Sequence, residues 1–149
     1  MTIGQMVESR PLFSLQRHST ISEAAQYMAE RNIGAVPVLD GSRLVGIFSE
    51  RDVIKRVVAK NLDPHSVKVG DVMTKDLVVA DASDSYEDCL RKMKQANCRH
   101  LPIISGDQLF GVVSLRDLLQ IELTEHAEKL EFLNDYLFHL PPDADKRGK

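Results

Sequence analysis

Residues 32–54 read NIGAVPVLDGSRLVGIFSERDVI, and residues 97–119 read NCRHLPIISGDQLFGVVSLRDLL. Shifting the chain by 65 positions, so that Asn32 falls on Asn97, lays one stretch over the other without a gap. Pro37 meets Pro102, Gly41 meets Gly106 and Gly46 meets Gly111, while Ser49, Arg51 and Asp52 meet Ser114, Arg116 and Asp117. The register reaches back to Met28 over Met93 and Leu12 over Leu77. With a one-residue slip, IGQMVE (3–8) also echoes VGDVMT (69–74). A self-similarity of this length marks a tandem duplication of one supersecondary unit, and it takes precedence over local propensity.

Each copy reads β-α-β-β-α. A short apolar strand, Leu12–Leu15 or Leu77–Ala80, leads to a capping signal, Thr20-x-x-Glu23 or the shorter Ser85-x-x-Asp88. A helix follows with its apolar stripe on Ile21, Ala24, Ala25 and Met28, or on Tyr86, Cys89, Leu90 and Met93. Two β-rich runs come next, joined at Asp40-Gly41-Ser42 and at Ser105-Gly106-Asp107, which read as hairpin turns. A second helix starts at Ser49 or Ser114. Its expected inward face is Val53, Ile54, Val57 and Val58 in one copy, and Leu118, Leu119 and Leu123 in the other.

The expected class is therefore α/β (α+β), with two repeats at 1–60 and 72–123, a polar linker at 61–71, and a C-terminal helix and tail at 124–149. About 50 residues is marginal for an independent domain, so two copies sharing a core and related by a pseudo-two-fold axis solve that problem. Beyond the second copy, Leu123, Ala127, Leu130, Leu133, Leu137 and Leu140 recur at spacings of three and four, as in a coiled-coil seam. This helix either packs back on its own domain or self-associates.

The totals of the 149 residues are those of an ordinary soluble globular protein: 43% hydrophobic, 28% charged, net charge −3. A mildly acidic chain has no electrostatic footprint for nucleic acid or an anionic membrane. Its one basic cluster, Lys146, Arg147 and Lys149, reads as a disordered tail. No apolar run approaches the roughly 20 residues that span a bilayer, and no signal-like N-terminus is present. Cys89 and Cys98 do not make a disulfide framework or a metal pair, and a reducing, cytoplasmic setting fits them.

Ser49-x-Arg51-Asp52 and Ser114-x-Arg116-Asp117 carry the chemistry, and each has two readings. A serine followed three residues later by an acid caps a helix. The same helix start offers free N–H groups and a positive dipole end to a phosphate, with an arginine fork beside it. An ionised aspartate, acceptor-only, suits the hydroxyls of a ribose. Pro37 and Pro102 interrupt strand-like runs, which implies an edge or a bulge. The neighbouring backbone of Val36 or Leu101 is then left to bond either a ligand base or water. The histidines at 18, 65, 100, 126 and 139 lack metal-ligand spacing, and His100 replaces Ala35 between the copies. No Gly-x-Ser-x-Gly, P-loop, His-Glu-x-x-His or Gly-x-Gly-x-x-Gly motif occurs, which argues against an enzyme and against Rossmann-style dinucleotide binding.

With VGDVMTKDLVV opening the second copy, these stretches resemble a pair of cystathionine-β-synthase (CBS) domains over about residues 3–123. GIFSERDVIKRV is similar to the small stand-alone CBS-pair proteins of bacteria and archaea. The resemblance implies a non-enzymatic regulatory module, often a disc-like homodimer, that signals to a partner protein. It implies an adenosyl ligand (AMP, ADP, ATP, NAD(H) or S-adenosylmethionine) in the cleft between the copies, and no required cofactor or metal. It assigns Asp52 and Asp117 to ribose hydroxyls, and Ser49 with Arg51 and Ser114 with Arg116 to phosphate. Backbone at Ala35, Val36 and Pro37, and at His100, Leu101 and Pro102, would meet the adenine edge. Lys75 would add a phosphate contact, with Arg10 in the corresponding region of the first copy. The alternative is a structural or dimerisation adaptor with vestigial clefts, whose C-terminal helix binds the partner. The copies differ at Glu50 against Leu115, and a glutamate near the phosphate disfavours highly charged ligands at the first site.

Overall fold

The structure, a computed structural model, describes residues 1–138. Leu140 of the expected seam and the basic tail lie outside the described residues, as do the side chains of Leu133 and Leu137. The first unit is residues 1–115, and the second begins at Arg116.

The first unit begins with α1 (Ile3–Val7), β1 (Leu15–Gln16), α2 (Ile21–Arg31), β2 (Ala35–Asp40) and β3 (Arg43–Ser49). A short α3 (Glu50–Asp52) then widens into a π-helix over Val53–Val58. The second copy repeats the series as α4 (Val69–Val72), β4 (Ala80–Asp81), α5 (Tyr86–Ala96), β5 (His100–Ser105) and β6 (Gln108–Ser114). The six strands form one sheet ordered β1-β2-β3-β6-β5-β4, which reads the same from either end. The two halves meet where Arg43 of β3 pairs with Gln108 of β6.

The hairpins keep the register that the repeat predicts. Ala35 pairs with Ser49 as His100 pairs with Ser114, and each ladder slips once, after Val38 and after Ile103. The loops are Gly41-Ser42 and Gly106-Asp107. Gly41 at φ 66° and Gly106 at φ 63° take the left-handed conformation that such tight turns require. Each first helix ends on an asparagine in the same conformation, Asn32 or Asn97, which accounts for that identity in the repeat.

Local expectations fail at four places. The leading strands are only Leu15–Gln16 and Ala80–Asp81, because each finds two partners on β2 or β5, and Leu12 is exposed. Thr20 and Ser85 both cap their helices, but only the aspartate reaches back to the cap's backbone N–H. Glu23 instead accepts from the Thr20 hydroxyl. Ala25 is exposed beside buried Ala24. In the second helix Val57 is buried, while Ile54 and Val58 are exposed, because the π-turn's i→i−5 bonds from Ala59 and Leu62 break the assumed 3.6-residue phase.

The largest departure concerns α1 and α4, which strand-and-helix periodicity did not reveal. The N–H groups of Ile3 and Gly4 donate to the carbonyls of Asp84 and Ala82 in the second copy. Those of Val69 and Gly70 donate to Ser19 and Arg17 in the first. Each opening segment therefore docks on the other copy. The core of Leu15, Ile21, Met28, Val36, Val38, Phe48 and Val57 is completed by Val69, Val72 and Met73. Gly46 permits this closeness: a Cβ there would stand 2.9 Å from the Thr74 carbonyl oxygen and 2.8 Å from Met73 Cγ. Gly111 plays the same part against Val7.

The second unit contains most of α6 (Leu115–Phe138), the long helix expected after the second copy. Leu118 is buried as expected, but Leu119 and Leu123 are exposed, as are Leu130 and Phe132. His126 lies 4.0 Å from Glu122 one turn earlier.

Candidate functional site

The β2–β3 ladder places the start of one strand beside the end of the other, so Ala35 lies opposite Ser49. Val36 and Pro37 follow with their side chains buried, opposite Phe48 and Ile47. Along Ala35–Pro37 the far side of β2 has no strand partner, since β1 pairs only with Val38 and Leu39. This is how a proline fits a strand interior to the sheet: its missing donor falls where the ladder is one-sided. The slip in the ladder comes one residue later, after Val38.

At the end of β3 the chain turns into α3 on Ser49. Its hydroxyl accepts from the Asp52 N–H at 3.3 Å, and its own N–H donates to Asp52 Oδ2 at 3.0 Å. The Ser49 hydroxyl also lies 3.2 Å from that oxygen. The capping reading is therefore correct here, and it changes the expectation of free donors. The Asp52 N–H is taken by the cap and the Glu50 N–H by the Gly34 carbonyl at 3.0 Å. Leu115 repeats this with the Arg99 carbonyl at 2.7 Å.

Asp52 is the one buried charged residue among those described, 7% exposed. Thr74 Oγ1 donates to its Oδ1 at 3.4 Å, and Arg56 Nε stands 3.6 Å from the same oxygen. Arg56 Nη1 also donates to the carbonyls of Val72 and Met73, both at 3.1 Å. A carboxylate has about four acceptor positions. Ser49 fills Oδ2 and Thr74 takes one place on Oδ1, so one acceptor position is left for a ribose hydroxyl, and a second hydroxyl bonds Asp52 only if that of Ser49 or Thr74 turns aside. Arg56 and Thr74 were not singled out from sequence. The signal for Arg56 was the acid-before-base i,i+4 spacing with Asp52. Thr74 had only its place at the end of the VGDVMT echo.

Arg51 and Glu50 are exposed at the first turn, with the Glu50 carboxylate folded back towards Gly34. Thr74 and Ile47 exchange antiparallel hydrogen bonds at 2.9 and 3.0 Å, so the backbone of Lys75, an exposed residue, continues alongside Gly46. In the second copy His100, Leu101 and Pro102 pair with Ser114, Val113 and Val112 as their counterparts do. Arg116, exposed, and Asp117, half-buried, stand in the first turn of α6. Arg10 is exposed.

Neither cysteine is activated. Burial pushes the Cys89 thiol up to about 11, helped by the Asp84 carboxylate, and burial raises Cys98 as well. Among the described residues no group of three or more His, Cys, Asp or Glu side chains converges as a metal site. No described helix is long and apolar enough to cross a membrane.

The profile of the CBS domain matches residues 3–59 and again 69–123. Hypoxic response protein 1 of Mycobacterium tuberculosis is 33% identical over 128 residues, covering 85% of this chain and 89% of its own. A solved structure of a protein with CBS domains from Burkholderia ambifaria superposes with a TM-score of 0.76 at 29% identity, over 83% of this chain and 95% of that one. A CBS domain protein from Pyrobaculum aerophilum, complexed with AMP, gives a TM-score of 0.71 at 27% identity, over 78% and 89%.

Proposed function

The chain belongs to the CBS-domain family, carried twice in tandem, and from that membership we propose that it is a non-enzymatic module that binds an adenosyl ligand and reports it to a partner. The observation that carries this reading is Asp52: a buried carboxylate held by Ser49, whose ladder partner Ala35 lies on the one-sided start of β2. The AMP complex of the Pyrobaculum aerophilum relative supports the ligand class. In this reading Asp52 and Asp117 accept from ribose hydroxyls. Ser49 with Arg51, and Ser114 with Arg116, stand near phosphate, with Lys75 as a further contact. Main chain at Ala35–Pro37 and at His100–Pro102 meets the adenine edge. AMP, ADP, ATP or NAD(H) are the ligands, the setting is cytoplasmic, and the working form is a homodimer.

Signalling needs only that the ligand bind one arrangement of the two copies more tightly than another. The exchanged opening segments suit this, because a shift at either copy pulls on a segment belonging to the other. Calorimetry with AMP, ADP, ATP, NADH and S-adenosylmethionine tests the reading. Sub-millimolar binding of at least one, weakened by Asp52→Ala or Asp117→Ala, is the expected result. No binding refutes the sensor, and binding indifferent to both substitutions refutes the site.

The exposed Leu123, Leu130 and Phe132 of α6 favour a second reading, an adaptor whose C-terminal helix binds the partner or a second copy. Truncation after Ile121 then changes the oligomeric state or abolishes partner binding. If it changes neither, the adaptor is excluded.

A further inference from the structure

Arg56 joins two things that the repeat keeps separate. Its guanidinium reaches the Asp52 carboxylate one helical turn back, Nε to Oδ1 at 3.6 Å. With Nη1 it also holds the main chain of the second copy's opening segment, at the carbonyls of Val72 and Met73. The next residue of that segment, Thr74, donates to the same Oδ1. Asp52 is therefore oriented on one oxygen by its own helix cap and on the other by a segment that enters from the other copy. The repeat does not carry these two residues over. At the shift of 65, Arg56 falls on Ile121, and under the one-residue slip Thr74 falls on Glu8.

We propose that Arg56 is a positioning residue for the first site: it ties the Asp52 carboxylate to the docked Val72–Thr74 segment, and so makes recognition of ribose hydroxyls there depend on that docking. The proposal rests on Asp52 as the ribose acceptor. A carboxylate fixed on Oδ1 and Oδ2 offers its remaining lone pair in one direction, which favours a hydroxyl arriving there and gives nothing to a sugar that lacks it. Without Arg56 the carboxylate keeps its cap, but Oδ1 is left to the Thr74 hydroxyl alone, on a segment no longer held at Val72 and Met73, and the preference for a hydroxylated sugar falls. A loosened segment alone would weaken every ligand alike.

The test measures affinity for AMP and for 2′,3′-dideoxy-AMP in an Asp117→Ala background, so that only the first site reads out. Hydrogen bonds to a charged acceptor discriminate by about tenfold or more, so the parent protein is expected to prefer AMP by that ratio. Arg56→Met is expected to weaken AMP about fivefold while changing the dideoxy analogue less than twofold. Arg56→Lys should recover part of the ratio, and Thr74→Val, which removes one donor to Oδ1 without a change of shape, should lower it about twofold. If the parent shows the preference and Asp52→Ala removes it, but Arg56→Met and Thr74→Val both keep it, the positioning role is overturned. An equal loss of both ligands in Arg56→Met also overturns it, as a structural effect. If the parent binds neither ligand, or does not discriminate, the ribose assignment of Asp52 fails and this proposal fails with it.

Discussion

Asp52 completes a helix cap, and the proposed function gives the same side chain a ligand to bind. The cap uses the backbone N–H and Oδ2, and Thr74 takes one place on Oδ1, so Oδ1 is the oxygen with an acceptor position left to share. Ser49→Ala is expected to cost about 1 kcal/mol of stability, the usual cost of a lost N-cap, read from urea denaturation. The fall should be the same with and without nucleotide if the serine only caps, and larger with nucleotide if it also meets phosphate. Glu50 poses a question of charge. Replacing it with leucine, as the second copy has, removes one negative charge near the phosphate region, an effect on the order of 1 kcal/mol at contact distance in water. Glu50→Leu should therefore tighten ATP relative to AMP about fivefold in paired titrations, and an unchanged ratio places Glu50 away from the phosphates. Cys89, with its thiol pushed up to about 11 by burial, should resist a thiol reagent at neutral pH until denaturant is added.

Among the elements, the hairpins and first helices were legible because their signals are local. Gly41 and Gly106 mark the turns, and Thr20 and Ser85 the helix starts. The elements that escaped have two kinds of cause. Leu15–Gln16 and Ala80–Asp81 are strands only because β2 and β5 lie beside them, and two residues carry no period. The π-turn at Val53–Val58 keeps an apolar sequence but changes which of its residues face the core, so Ile54 and Val58 come out exposed. A glycine inside a strand pattern, as at Gly46 and Gly111, marks a close approach or a bulge, and sequence does not say which, nor what approaches. The answer gives a graded prediction. Gly46→Ala sets a methyl against the Thr74 carbonyl, which belongs to a bridged backbone, and should cost about 1–3 kcal/mol. Gly111→Ala meets only the Val7 side chain and should cost less in the same denaturation experiment.

At the scale of the whole molecule, the duplication was legible, but its exchange of opening segments was not. The bonds that dock Ile3 and Gly4 on Asp84 and Ala82 join distant parts of the chain, and no periodic pattern encodes them. The unit that folds is therefore displaced from the unit that repeats. A fragment of residues 12–75 carries the whole first core, including Val69, Val72 and Met73, and should unfold cooperatively in urea. A fragment of residues 1–60 lacks those three side chains, each worth about 1.5–3 kcal/mol when buried. That loss is comparable to the whole stability of a small domain, so the shorter fragment should show no cooperative transition. The reverse result would mean that the exchange does not hold the copies.

The candidate site was legible as residue types at Ser49, Arg51 and Asp52. Its second wall, Thr74 with Arg56, depends on the exchange and so came only with the structure. That geometry is tested most directly by titrating ¹⁵N-labelled protein with AMP and following the backbone amides. Ala35, Val36, Ser49, Arg51, Asp52 and Thr74 are expected to shift together and saturate along one binding curve. Saturable shifts confined to α6, or no saturable shift at all, would contradict it.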